Sequence, residues 1–152
     1  MSRRLPDTSA RAAPENLAIL LREPFAAMTD RLLMVLAERG HGAVRAPHAA
    51  VFEFLDDEGT RVSVLAERAR VAKQSMAELV VYLEDHGYVE RSPDPADGRA
   101  KLVRATARGR EVSAIAHEVM DAVEAELVQR LGARAVARLR AALVALDGAL
   151  GA

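Results

Sequence analysis

Cysteine and tryptophan are absent from this 152-residue chain, and aromatics are limited to three phenylalanines and two tyrosines. Without cysteine there can be no disulfide, no thiolate zinc site and no thiol redox switch, which fits a reducing compartment. Few aromatics beside abundant alanine and leucine argue for a mainly helical protein. No apolar run reaches the roughly 20 residues that span a bilayer. The opening MSRRLPDTSARAAPE has no apolar signal core. The chain therefore reads as a soluble cytoplasmic protein with no membrane partner, and residues 1–14 as a disordered arm. Nucleophile elbows, phosphate-cradling glycine loops and zinc-protease helices are missing too. The expectation is a protein that is not an enzyme and carries no cofactor.

A net charge of −1 hides an uneven distribution. Residues 61–110 hold ten Lys/Arg against seven Asp/Glu, and residues 91–110 alone six against two, while both flanks are net negative. A basic middle suits contact with a polyanion.

What the sequence does contain is helical periodicity from Glu15, with Leu17, Leu20, Leu21, Phe25, Met28, Leu32, Val35 and Leu36 on one stripe. Pro24 inside it should kink or split the helix. Gly40 and Gly42 end the segment, and Pro47 suits the first turn of a shorter helix. Residues 62–87 then read as two short helices around a break near Val71. Ser63 is the expected cap of the first, and Met76, Leu79, Val80 and Leu83 are the inner stripe of the second. Two short strands follow within residues 88–110, and Thr106 caps a long helix. Gly132 separates a last helix whose Val136, Leu139, Leu143, Leu146 and Leu150 make a heptad-like seam. The outer helices carry more apolar face than a small helix-turn-helix can cover, so a homodimer is expected through Leu17, Leu20 and Leu21 together with that seam. The expected fold is mainly α with a small β wing (α+β). In this reading residues 15–46 are a dimerisation helix, 47–110 a winged helix-turn-helix, and 111–152 C-terminal dimerisation helices.

The order of elements, together with Leu65-Ala66, Leu83-Glu84 before Gly87-Tyr88-Val89, Arg91, Asp94-Pro95 and Asp97-Gly98-Arg99, resembles the multiple-antibiotic-resistance-regulator (MarR) family of winged-helix repressors. The resemblance runs from about residue 15 to the end, with its specific motifs confined to 65–109. Ala105-Thr106 departs from the family's usual Leu-Thr, and Ala72 from its Ser or Thr before the second helix. The resemblance implies repression relieved by a small aromatic or phenolic acidic effector. The pocket is expected near the first, second and post-wing helices, with Phe25, Met28, Arg31, His48, Phe52 and His117 as lining.

The DNA reading also stands on the residues themselves. A helix fits the major groove of double-stranded DNA, and the positions off the inner stripe are Lys73, Gln74, Ser75, Ala77, Glu78 and Val81. Gln74 can pair with adenine, Ala77 and Val81 can meet thymine methyls, and Lys73 suits phosphate. Arg99, expected at the hairpin tip and aimed by Asp97, suits a narrow minor groove. Arg61, Ser63, Arg91, Lys101, Arg104, Arg108 and Arg110 are further candidates for backbone contacts. A dimer would read an inverted-repeat operator. Two alternatives remain at this stage. A metal-responsive sensor of the same fold would use His41, His48 or His117 with Glu118, although the four histidines show no ligand spacing and no metal site is expected. A winged-helix protein-interaction module would not bind DNA.

Overall fold

The computed structural model describes residues 16–151; the expected arm at 1–14 lies outside them. Helix α1 (Leu17–Glu38) starts at Asn16, whose side chain accepts from the Ala18 N–H at 2.9 Å. It runs unbroken through Pro24, so the expected split does not occur. Its end is closed by Gly40 at φ +88°, where His41 N–H reaches Leu36 C=O at 2.7 Å. A short 3-10 turn, Ala46–His48, leads into α2 (Ala49–Phe54).

The helix-turn-helix is α3 (Val62–Arg68) and α4 (Lys73–Asp85). Ser63 does not cap α3. Thr60 is locked to Val103 by two 2.9 Å backbone bonds, so the chain turns helical directly after it, with Arg61 at the cap position and Ser63 already inside the helix. Between α3 and α4 the chain takes a left-handed step at Arg70, φ 54°, the one non-glycine residue with positive φ among those described. Strand β1 (Val89–Asp94) pairs antiparallel with β2 (Asp97–Ala105), Val89 opposite Ala105 and Arg91 opposite Val103.

Helix α5 (Ala107–Leu131) begins at Thr106, whose hydroxyl accepts from Gly109 N–H and donates to Gly87 C=O at 2.6 Å. Here the absence of a side chain matters, because a Cβ on Gly109 would sit 2.1 Å from the Tyr88 carbonyl oxygen. The post-wing helix can therefore press against the joint between α4 and β1. Gly132 then opens α6 (Ala133–Leu150). This is the mainly helical fold with a two-stranded wing that the periodicity predicts.

The core gathers where α4 meets its neighbours. Leu36, Val51, Leu65, Met76, Val80, Leu83, Tyr88, Val89 and Val103 are all essentially inaccessible. Helix α5 adds Val112, Ile115, Val119 and Val123, and is tied to α1 by Arg31–Glu126 at 2.5 Å and a two-bond Arg39–Glu118 pair at 2.6 and 2.7 Å. Helix α6 buries none of its residues. Leu17, Leu20, Leu21, Leu139, Leu143 and Leu150 stand exposed, with Val136 and Leu146 half-buried. No helix among the described residues is long and apolar enough to cross a membrane.

Candidate nucleic-acid interface

Helix α4 is anchored by Met76, Val80 and Leu83, each at 0% exposure, and that anchoring decides what it shows outward. Lys73, Gln74, Ser75, Glu78 and Val81 are exposed, and Ala77 is half-buried beside them. Because Ala72 offers no capping oxygen, the N-terminal N–H groups of α4 have no side-chain acceptor of their own. A helix start of this kind, with its partial positive charge, favours phosphate.

The wing differs in detail from the sequence expectation. Its tip is Pro95–Ala96, and Arg99 stands just beyond it in β2. Asp94 faces Asp97 and Pro93 faces Lys101, so Gly98, Arg99 and Ala100 bulge out with no partner opposite. Asp97 does not brace the Arg99 guanidinium. One of its oxygens accepts from the Arg99 backbone N–H at 3.1 Å, and the other lies 3.7 Å from Arg61 Nη2. The side chain of Asp97 is thus committed to shaping the bulge, which leaves the Arg99 and Lys101 side chains exposed and without an acidic partner among the described residues.

Arg61 is also not free for DNA. It donates to Asp94 through Nε at 2.7 Å and Nη2 at 2.5 Å, joining the start of α3 to the wing turn. Asp94 is 7% exposed. The Ala96 N–H, first, and the Arg61 guanidinium, second, hold its carboxyl below the usual aspartate range. Sequence reasoning missed this buckle, because an aspartate before a proline reads as a turn residue and nothing local points to an arginine 33 positions away. Other basic candidates are likewise occupied. Arg91 lies 3.2 Å from Glu84, Arg104 donates to Glu58 C=O, Arg108 to the Tyr88 hydroxyl, and Arg110 to Ala105 C=O. The free cations of this face among the described candidates are therefore Lys73, Arg99 and Lys101.

A second feature lies behind α4. A 640 Å³ cleft is lined by Phe25, residues 45–50, Glu53 and Val71, and by Ser75, Glu78, Leu79 and Tyr82 of α4. His48 stacks on Tyr82 at 4.5 Å, Tyr82 stacks on His86 at 4.1 Å, and the Arg45 guanidinium lies 5.9 Å from the Tyr82 ring. Burial, then the charges of Arg45 and His86, push the His48 pKa down. Of the expected lining only Phe25 and His48 are here. Met28 packs on the core, Phe52 meets Tyr88 edge-on, Arg31 is held by Glu126, and His117 turns back to Ser113 C=O. The cleft sits against α4. Among the described residues no three His, Asp or Glu side chains converge as a metal site.

Comparison with known proteins agrees with this geometry. A sequence model of the MarR family matches residues 44–100, which take in the 3-10 turn, α2 to α4 and the wing bulge. Over this segment the chain is similar to the MarR family. It is 36% identical over 86 residues to the transcriptional regulator HosA of Escherichia coli O111:H-, across 56% of this chain and 64% of HosA, so the match stops short of HosA's full length. The transcriptional regulator Tm0710 from Thermotoga maritima superposes with a TM-score of 0.59 at 26% identity, covering 88% of this chain and 93% of its own. A MepR mutant from S. aureus bound to an oligodeoxyribonucleotide shares the fold at 18% identity and TM-score 0.58, over 90% and 99% of the two chains. HosA and Tm0710 are both named transcriptional regulators.

Proposed function

We propose that this chain is a MarR-family, sequence-specific DNA-binding transcriptional regulator that represses from an inverted-repeat operator as a homodimer. The observation that carries the reading is the division of labour among the basic residues. Arg61, Arg91, Arg104, Arg108 and Arg110 each have an acceptor in the protein within 3.2 Å, whereas Lys73, Arg99 and Lys101 stand exposed on α4 and the wing bulge with no acidic partner among the described residues. A helix start lacking a side-chain cap and a bulged arginine beside it suit a major groove and the neighbouring minor groove. The oligonucleotide bound by the MepR mutant supports the same use of the fold. The uncovered leucines of α1 and α6 supply a surface for the second copy, which sets the spacing of the two reading helices.

The cleft behind α4 supplies a place for an effector. A small aromatic acid lying in the cleft with its carboxylate toward Arg45 would bias the position of α4 by binding one dimer geometry better than another. The DNA reading is tested with duplex containing the inverted repeat beside the protein's own gene, titrated across a salt series. Arg99→Ala is expected to weaken operator binding by about 1–3 kcal/mol. Lys101→Ala should lower affinity for all sequences and reduce the salt slope by about one. Binding that ignores salt and both substitutions would refute the reading and favour a protein-interaction module.

A further inference from the structure

On the outer ridge of α4, Gln74 Nε2 donates to Glu78 Oε1 at 3.3 Å, one helical turn apart. A carboxylate only accepts, so the amide nitrogen, not the amide oxygen, must face Glu78. That settles which way Gln74 points its two ends. The carbonyl Oε1 is displayed away from Glu78, and one amide hydrogen remains for another partner. Beside this pair, Ala77, Val81 and Asp85 with Glu78 and Tyr82 line a shallow 410 Å³ depression along the same exposed face. The ridge is therefore rich in acceptors and methyl groups. Its other donors are Ser75, which lines the cleft behind the helix, and Lys73 at the helix start.

Helix α4 carries no arginine, the side chain that most often pairs with guanine. An amide held as described matches adenine, whose N6 amino group donates to Oε1 while its N7 accepts the remaining amide hydrogen. Guanine offers two acceptors, O6 and N7, on that edge. Guanine could therefore take only the one remaining amide hydrogen, with Oε1 set against a second acceptor, unless Gln74 turned its amide over, breaking the bond to Glu78 and bringing its oxygen against the carboxylate. Resting on the DNA-binding reading above, we propose that Gln74 specifies an adenine in each half-site. Glu78 is the positioning residue that fixes the amide and turns guanine away.

The test is selection of bound duplexes from a randomised pool by the full-length protein, followed by affinity measurement with adenine or guanine at the position Gln74 controls. The unmodified protein should enrich an inverted repeat with adenine there, and guanine should weaken binding roughly tenfold or more. Gln74→Ala should lose the preference at that position alone. Glu78→Ala should accept guanine nearly as well as adenine while binding unrelated DNA more tightly, since a carboxylate beside the phosphates is gone. Glu78→Gln, whose amide can donate as well as accept, no longer fixes the Gln74 orientation and should lose the preference for adenine as Glu78→Ala does. A merely structural Glu78 would change overall affinity and leave base choice alone, and that result overturns the proposal. Enrichment of guanine at the Gln74 position overturns it as well. If the unmodified protein enriches no motif at all, the DNA-binding reading itself fails, an outcome distinct from a wrong base.

Discussion

Helices α4 and α6 both place apolar residues three and four apart, and they end in opposite circumstances. Met76, Val80 and Leu83 of α4 are fully enclosed where α2, α3, β1 and the 3-10 turn meet, while α6 packs chiefly on α5 and buries nothing. Enclosing an apolar side chain contributes about 1.5–3 kcal/mol. On that basis the helix-turn-helix can hold itself together, whereas the exposed seam of α6, with Leu17, Leu20 and Leu21 of α1, would gain that contribution only from the proposed second copy. Amphipathic spacing states that a helix has a face to bury. Which body buries it depends on what else the fold brings near.

The comparison can be broken at its most exposed end. The double substitution Leu139→Asp and Leu143→Asp should convert a two-chain particle into single chains, read as a halving of mass by light scattering. An unchanged mass would show that α6 is not the joining surface. The enclosed end gives the next largest effect. Met76→Ala should cost about 2–5 kcal/mol in denaturant unfolding, because a closed site cannot collapse around the missing atoms. That deficit should not vary with protein concentration, whereas a Leu143→Ala deficit should be near zero in dilute protein and grow to a plateau as concentration rises and mass action favours the joined form.

The smallest effect probes His48, buried where the 3-10 turn meets α4. Its Nδ1 accepts from Arg45 N–H at 3.0 Å and its pKa is lowered, chiefly by burial, so the folded state holds it neutral. The unfolded chain takes up a proton at the ordinary histidine pKa near 6.5, and the folded chain only at lower pH. Stability should therefore fall as pH drops below about 6.5 and level off beneath the lowered value. His48→Asn, which retains an acceptor in the place of Nδ1, should flatten the unfolding midpoint between about pH 7 and 5. An unaltered slope would assign the pH dependence to other groups.

Much of the outline is written locally. The stripe of α4 predicted Met76, Val80 and Leu83 as its inner face, Thr106 capped the post-wing helix, and Gly132 divided the last two helices. Local chemistry misled where a distant partner intervened. Ser63 looked like a cap, but the Thr60–Val103 bridge started α3 earlier. Arg61 looked like a phosphate ligand, but Asp94 claims it. Asp97 looked like a brace for the Arg99 side chain, but the bulge turned it to the Arg99 backbone.

By itself, then, the sequence determined the element order, the inward faces and the basic character of the wing region, since periodicity, caps and turn residues act over a few positions. Only the tertiary structure decided which of the basic side chains are left for a partner and where a cleft opens behind α4. Those outcomes hang on residues far apart in the chain: 33 positions separate Arg61 from Asp94, and 46 separate Arg104 from Glu58. An arginine's availability is set by whether folding brings an acceptor within about 3 Å of it, and no local pattern records that distance.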